Sequence, residues 1–404
     1  WWERTAEFLL EGLLDCPGPF YHPLSISLGT LRALPFPPPG APIAAAPPSL
    51  PEIPGEPRQW DYRYVWVRDS AYAAEALLMA NDTISARRIA EFLLNTVSPT
   101  ERVFPAPFLR VDGTLPDGER DLLWLQGHEE SRPARAGNGA VTQLQLDLAG
   151  SVLWLVYHLW QAERDSRWVR HYWWAIESLA EWARNTWTQE DASLWEYRTI
   201  RGQHTHSRLM NWVALRAAAE MAQFAVGLDD LSRKWARTAQ KIQNVMEQEA
   251  AQVGWFNPRP DADSTDAALL TLPLYGFLDV HHPWFQQTLA RIEATLYTDG
   301  LVYRYRSDDF GEARFPFLLA GFWYARILMR LGRWKEAEYV INRHADQATP
   351  LGLYGEHVDI NSGRVRGNFP QLFSHTGLIM TLMEWSRLER GEPLFNWSVL
   401  SVSS

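Results

Sequence analysis

Cysteine is almost missing from this chain: Cys16 stands alone among 404 residues. One thiol excludes an internal disulfide framework and any cysteine-based zinc site, and it fits a reducing, cytoplasmic setting. Basic charge is short as well, with 38 Lys and Arg against 48 Asp and Glu and a net charge of -10. A nucleic-acid partner or an anionic membrane surface is therefore not expected. The sequence holds neither a signal peptide nor an apolar run of about 18 residues, and it starts at Trp1 rather than Met, so it reads as a trimmed fragment. The usual catalytic signatures are missing too. Without G-x-S-x-G, a P-loop, G-x-G-x-x-G or H-E-x-x-H, acyl transfer, phosphoryl transfer, dinucleotide binding and zincin chemistry lose their ordinary marks.

What the chain has in excess is tryptophan, 21 residues within a 46% hydrophobic composition. Trp is costly to expose, so a deep core, a ring-lined cleft or both are expected. Apolar periodicity predicts helices near 3–14, 69–80, 84–97, 141–162, 166–187, 207–223, 228–250, 264–273, 283–296, 315–331, 333–346 and 372–389. "VTQLQLDLAGSVLWLVYHLWQA" carries two apolar rows and so lies between neighbours, whereas "WVRHYWWAIESLAEWARNTW" is one-sided like an outer helix. Gly332 in "LMRLGRWKEAEYV" marks a helix end. Inner and outer pairs of this kind suggest an all-α, closed, double-layered α/α barrel, with open helical stacking as the structural competitor. The Pro-rich segment 36–60 is either a linker or an ordered loop crossing the barrel mouth, and its apolar Ile43-Ala44-Ala45-Ala46 favours the loop.

Three short stretches carry the candidate chemistry. "QWDYRYVWVRDS", residues 59–70, alternates Trp60, Tyr62, Tyr64 and Trp66 with other residues and ends on Arg68-Asp69. Alternation is the period of a strand, so the rings share one face. The plain reading is a core strand followed by Asp69 as a helix cap; the sharper one is a sugar site, in which rings take the C–H face of a pyranose and Arg68 with Asp69 take its hydroxyls. Glu196 sits between Trp195 and Tyr197, an apolar setting that would keep a proton on the carboxyl for general-acid work. Glu356, between Gly355 and His357, has a more polar setting in which a carboxylate stays ionised and acts as a base. Each alone reads as a solvated loop residue; glycoside hydrolysis is the chemistry that uses both. His204 and His206, the His281-His282 pair and Asp229-Asp230 are read as structural or capping residues, and no metal or cofactor is expected.

The blocks "WDYRYVWVRDS", "SRPARAGNGAVTQLQLDLAG", "SLWEYR...HTHSRLMNWVAL", "DAALLTLPLYGFL", "DGLVYRY" and "GEHVDINSGRVRGNFPQLFSHTGLI" resemble, in order and spacing, the glucoamylase-like enzymes of glycoside hydrolase family 15. The resemblance implies an (α/α)6 barrel with a pocket at its mouth, with residues 1–404 as one catalytic domain lacking the N-terminal β-sandwich of bacterial relatives. It implies Glu196 as general acid, Glu356 as general base, Arg68, Asp69 and Arg304 on the hydroxyls of the terminal sugar, and Tyr62, Trp66 and Trp195 as pocket rings. It further implies inversion, with the two carboxyls about 6.5–9.5 Å apart. The main functional expectation is an exo-acting α-glucoside hydrolase that releases β-glucose from α-glucans or oligosaccharides. The alternatives are an α,α-trehalase on the same scaffold and, from another class, a catalytically silent sugar-sensing domain, against which the presence of both glutamates argues. Three departures from the family pattern stand out: Val65 within "YRYVW", His357 within "EHVD", and Glu129-Glu130-Ser131-Arg132-Pro133, where some members carry a Trp before the Arg-Pro pair. The last departure falls at the family's site for the leaving sugar.

Overall fold

A computed structural model describes residues 18–35, 40–46, 50–98, 100 and 103–394. In chain order the α-helices are α1 (Tyr21–Ala33), α2 (Val67–Met79), α3 (Thr83–Asn95), α4 (Leu148–Glu163), α5 (Ser166–His171), α6 (Trp173–Thr186), α7 (Thr205–Met221), α8 (Asp229–Val253), α9 (Thr271–Leu274), α10 (Pro283–Leu296), α11 (Leu318–Arg330), α12 (Trp334–Ala345) and α13 (Leu372–Glu389). Burial sorts them into two layers. Every residue of α2 is buried, and so are long stretches of α4, α7, α11 and α13, which leaves these helices nowhere to lie but inside. The outer helices bury one stripe each. In α8 that stripe is Trp235, Ala239, Ile242, Met246 and Ala250, at the three- and four-residue steps of a single helix face.

The inner helices contact one another in the order α2, α4, α7, α9, α11 and α13, and α13 returns to α2, so the ring closes. The fold is the expected (α/α)6 barrel. Local chemistry sets the helix ends: Asp82 caps α3 by accepting from the Ser85 N–H, Asp165 caps α5 by accepting from the Arg167 and Trp168 N–H groups, and α11 stops just before Gly332, whose φ of 74° suits the left-handed turn. Strands are two- and three-residue pieces, all antiparallel pairs in the connecting loops. No described helix is long and apolar enough to cross a membrane.

Several expectations are corrected. Helix α1 has no counterpart among the expected helices, and the helix expected over 3–14 lies outside the described residues, as does Cys16. Helix α4 starts at Leu148 rather than near 141, and the helix expected over 264–273 is a 3-10 turn, Ala267–Leu270, followed by the four-residue α9. Of the aromatic stretch 59–70, only Val65–Trp66 pairs as a strand, against Phe108–Leu109. Helix α2 begins at Val67, so Asp69 lies inside its first turn and is not its cap. The described part of the Pro-rich segment is indeed ordered over the mouth, with the Ala44 and Ala45 N–H groups bonded to the carbonyls of Tyr64 and Tyr62.

Candidate active site

Loops at the N-terminal ends of the inner helices converge on one pocket. Glu196 reaches it from the connection that precedes α7. That loop is pinned at its base by the paired Asp191 and Gly202, and the Gln143 amide donates to the Glu196 carbonyl at 3.1 Å. Glu196 itself is held at φ 60°, a left-handed conformation that costs a non-glycine residue about 1–3 kcal/mol and must be compensated by its surroundings. Compensation is visible at the carboxylate, where Oε1 accepts from Arg68 Nη2 at 2.9 Å and from Trp66 Nε1 at 2.7 Å. The apolar setting expected for Glu196 is thus corrected: a guanidinium and an indole N–H face it. Next to it, Trp195 Nε1 donates to both oxygens of Asp266, at 2.9 and 2.8 Å, which fixes the indole plane against Phe317.

Arg68 is the hub of this side. Besides Glu196 it donates from Nη1 to Gln145 Oε1 and Asp147 Oδ2, both at 3.0 Å, and it is buried together with Asp147. Its fork is therefore committed to protein carboxylates, a larger structural role than holding a sugar hydroxyl. Asp69, at the pocket wall, is pushed up to about 7, chiefly by burial.

Glu356 occupies the opposite side, and its expected ionised state is corrected: the setting is polar, with Tyr62, Glu52, Arg304 and His357 around it, but buried. Its carbonyl accepts from Leu318 N and the neighbouring Gly355 carbonyl accepts from Ser374 Oγ, which ties this loop to the starts of α11 and α13. Gly367, at φ 72°, leaves the room its carboxylate needs, since a Cβ there would stand 3.3 Å from Glu356 Oε2. Tyr62, whose phenol is kept protonated by burial, donates to Glu356 Oε1 at 3.2 Å. Burial first, and the nearby Glu52 carboxylate second, raise the proton affinity of Glu356 well above that of an ordinary glutamate. The Tyr62 and Trp66 rings meet edge to face at 5.4 Å and so bridge the two glutamates.

All eight residues singled out in the sequence, Tyr62, Trp66, Arg68, Asp69, Trp195, Glu196, Arg304 and Glu356, line this one pocket. The space these residues surround, counting the part open to solvent, is about 450 Å³. A second compartment, with Trp60, Arg198 and Phe310 in its wall, continues past Glu196 and Arg304. Of the four alternating rings only Tyr62 and Trp66 face the first pocket; Tyr64 packs on Phe108, and Trp60 donates to Glu52. None of residues 129–133 lines either space, and Glu129 instead pairs with Arg366 at 2.7 Å. Sequence reading missed the carboxylates that hold the site together: Glu52 on Arg304, Asp147 on Arg68 and Asp266 on Trp195. Asp266 stands in the "DAALLTLPLYGFL" block, where a lone acid before an apolar run was the available signal.

The model of glycosyl hydrolases family 15 matches residues 26–340. The chain belongs to glycosyl hydrolase family 15. Trehalase 2 and Trehalase 1 of Sulfolobus acidocaldarius are 38% and 40% identical to it and align with 91% and 89% of its length. Trehalase of Mycolicibacterium smegmatis is 32% identical over 89% of the chain. The chain spans 64%, 62% and 54% of these three relatives. Among solved structures, a bacterial glucoamylase complexed with acarbose superposes with a TM-score of 0.68 at 18% identity, covering 92% of this chain and 55% of that one. The glucoamylase from Saccharomycopsis fibuligera gives 0.70 at 15% identity, covering 91% and 95%. At such identities the glucoamylases speak for the fold alone. Within family 15, the trehalase alternative is therefore better supported than the glucan-hydrolysing expectation.

Proposed function

We propose that this family 15 chain hydrolyses α,α-trehalose, with Glu196 as general acid and Glu356 as general base. The chemistry rests on the two glutamates lining one pocket, and the choice of substrate on the named relatives being trehalases at up to 40% identity. One glucose unit occupies the pocket against Tyr62 and Trp66, and the other lies toward the compartment beyond Glu196. Glu196 Oε1 is engaged by Arg68 and Trp66, which leaves Oε2 as the atom that carries the proton. As the bond between the anomeric carbon and the bridging oxygen breaks, that oxygen takes the proton from Glu196. A water on the opposite face attacks the anomeric carbon and loses its proton to Glu356.

The two halves of trehalose make the stereochemistry readable. Inversion converts only the attacked glucose to β, while the departing glucose keeps its α configuration. Proton NMR during the first turnovers is expected to show α- and β-glucose in equal amounts; α-glucose alone would mean retention and would remove Glu356 from its role. Trehalose, maltose, isomaltose and starch assayed side by side are expected to give the highest kcat/KM with trehalose. A preference for maltose or starch would sink the trehalase reading.

A further inference from the structure

At the pocket wall, three buried acceptor atoms face one another, and among them only Glu52 Oε2 has a donor, Arg304 Nη2 at 3.1 Å. His357 Nδ1 lies 3.2 Å from the Pro316 carbonyl, which can only accept, so Nδ1 carries the ring hydrogen and Nε2 of the neutral ring presents a bare lone pair. That lone pair faces Glu52 Oε2 at 3.5 Å and Glu356 Oε2 at 3.8 Å. Neither His357 Nε2 nor Glu356 Oε2 has a hydrogen-bond partner, although both are buried. Buried acceptors left facing one another are costly unless a proton sits among them.

We propose that Glu52 and His357 are positioning residues for Glu356, together fixing where its proton sits and making it a stronger base. Glu52 is not the holder of that proton. Its carboxylate accepts from Trp60 Nε1 at 3.0 Å and from Arg304 Nη2 at 3.1 Å, with Arg58 3.7 Å away, and these cations keep it ionised. His357 is not the holder either, because burial keeps its ring neutral despite Glu52, with Arg304 and Arg58 opposing a second positive charge. Glu356 remains, and besides His357 the charged and titratable groups around it are Glu52, Arg304, Tyr62 and Asp69. A carboxylate that grips its proton more tightly is also the better acceptor from water once ionised, and a base works best with its proton affinity near the operating pH. Arg304, read from the sequence as a sugar-binding residue, thus also anchors this arrangement.

The proposal rests on Glu356 being the base, and the pH profile tests both separately. In kcat/KM the acidic limb reports ionisation of the base in the free enzyme. Glu52→Gln removes the neighbouring negative charge and releases Arg304, so the limb is expected to move to lower pH by about one unit. Glu52→Asp keeps the charge and is expected to return the limb toward the wild-type position. His357→Gln leaves the ion pairs intact and offers Glu356 an amide donor where the imidazole offered a lone pair, so it too is expected to lower the limb. It provides the reading if Glu52→Gln does not fold. A folded variant of either kind whose limb stays at the wild-type pH overturns the proposal. Glu356→Gln, run alongside, addresses the underlying role: full activity there would dismiss Glu356 as base, whereas inactivity with unmoved limbs would dismiss only Glu52 and His357.

Discussion

Arg68 shows how far one side chain's role extends beyond the pocket. Loss of a sugar contact alone would leave the fold intact, but the guanidinium is the buried counter-charge of Asp147, which is itself fully buried. Breaking a buried pair by removing one partner costs about 3–5 kcal/mol, because the other charge is left without compensation. Arg68→Ala is therefore expected to lower stability by that amount as well as kcat/KM, and Arg68→Lys to recover part of the stability but not the fork that reaches Glu196 and Asp147 together. Chemical denaturation reads this directly; unchanged stability in Arg68→Ala would mean that Asp147 finds another partner. The same residue marks the limit of sequence reading. Arg68, Asp69, Glu196 and Glu356 were legible because rings and family-like blocks surround them, but Asp147 and Glu52 act through partners 79 and 252 positions away in the chain. No local pattern announces such a pairing.

Between elements, the inner ring depends on how closely helices approach. Gly150 of α4 lies against the backbone of α7, where a Cβ would come 2.2 Å from the Met210 carbonyl oxygen and 2.7 Å from its carbon. The obstacle is main chain and cannot rotate aside, so the two helices would have to part. Gly150→Ala is expected to cost at least about 1–3 kcal/mol despite alanine's better helix propensity, and thermal unfolding decides it. An unchanged or raised melting temperature would show that the helices have slack there. Long periodic helices such as α8 and α13 were legible for the same physical reason that places them, an apolar stripe or an apolar circumference. The helix expected over 264–273 was misplaced and misjudged in kind, because a 3-10 turn and a four-residue helix leave too few residues to display a period. The Val65–Trp66 strand was overestimated, since only Tyr62 and Trp66 of the four alternating rings face the pocket, and facing it does not require a ladder.

Across the whole molecule, stability against pH is set by two opposed groups of buried ionisable side chains. His158 and His375 are lowered to about 3, and His204, His206, His344 and His357 to about 4, each chiefly by burial. The unfolded chain binds these protons near the ordinary value of about 6.5, so their contribution is complete above that pH and is lost as pH falls toward 4. Asp69, Glu75, Asp191 and Asp266 are raised to about 7 and Glu356 to about 8, again chiefly by burial, so their contribution is complete below the ordinary carboxylate range and is lost as pH rises toward 7 and 8. From about pH 6.5 down to 4 the slopes oppose, and the melting temperature is expected to change little. Below that, the carboxyl contribution has saturated while His158 and His375 still lose theirs. Glu384, held to about 2 against its burial by Arg326 and Arg330, then adds its own loss as it protonates. A plateau ending in a steep fall below about pH 4 is thus expected in a series of thermal melts. A steady decline from pH 6.5 would instead mean that these five buried carboxyls are ionised in the fold, and a climb toward pH 4 would mean that the histidines are charged there.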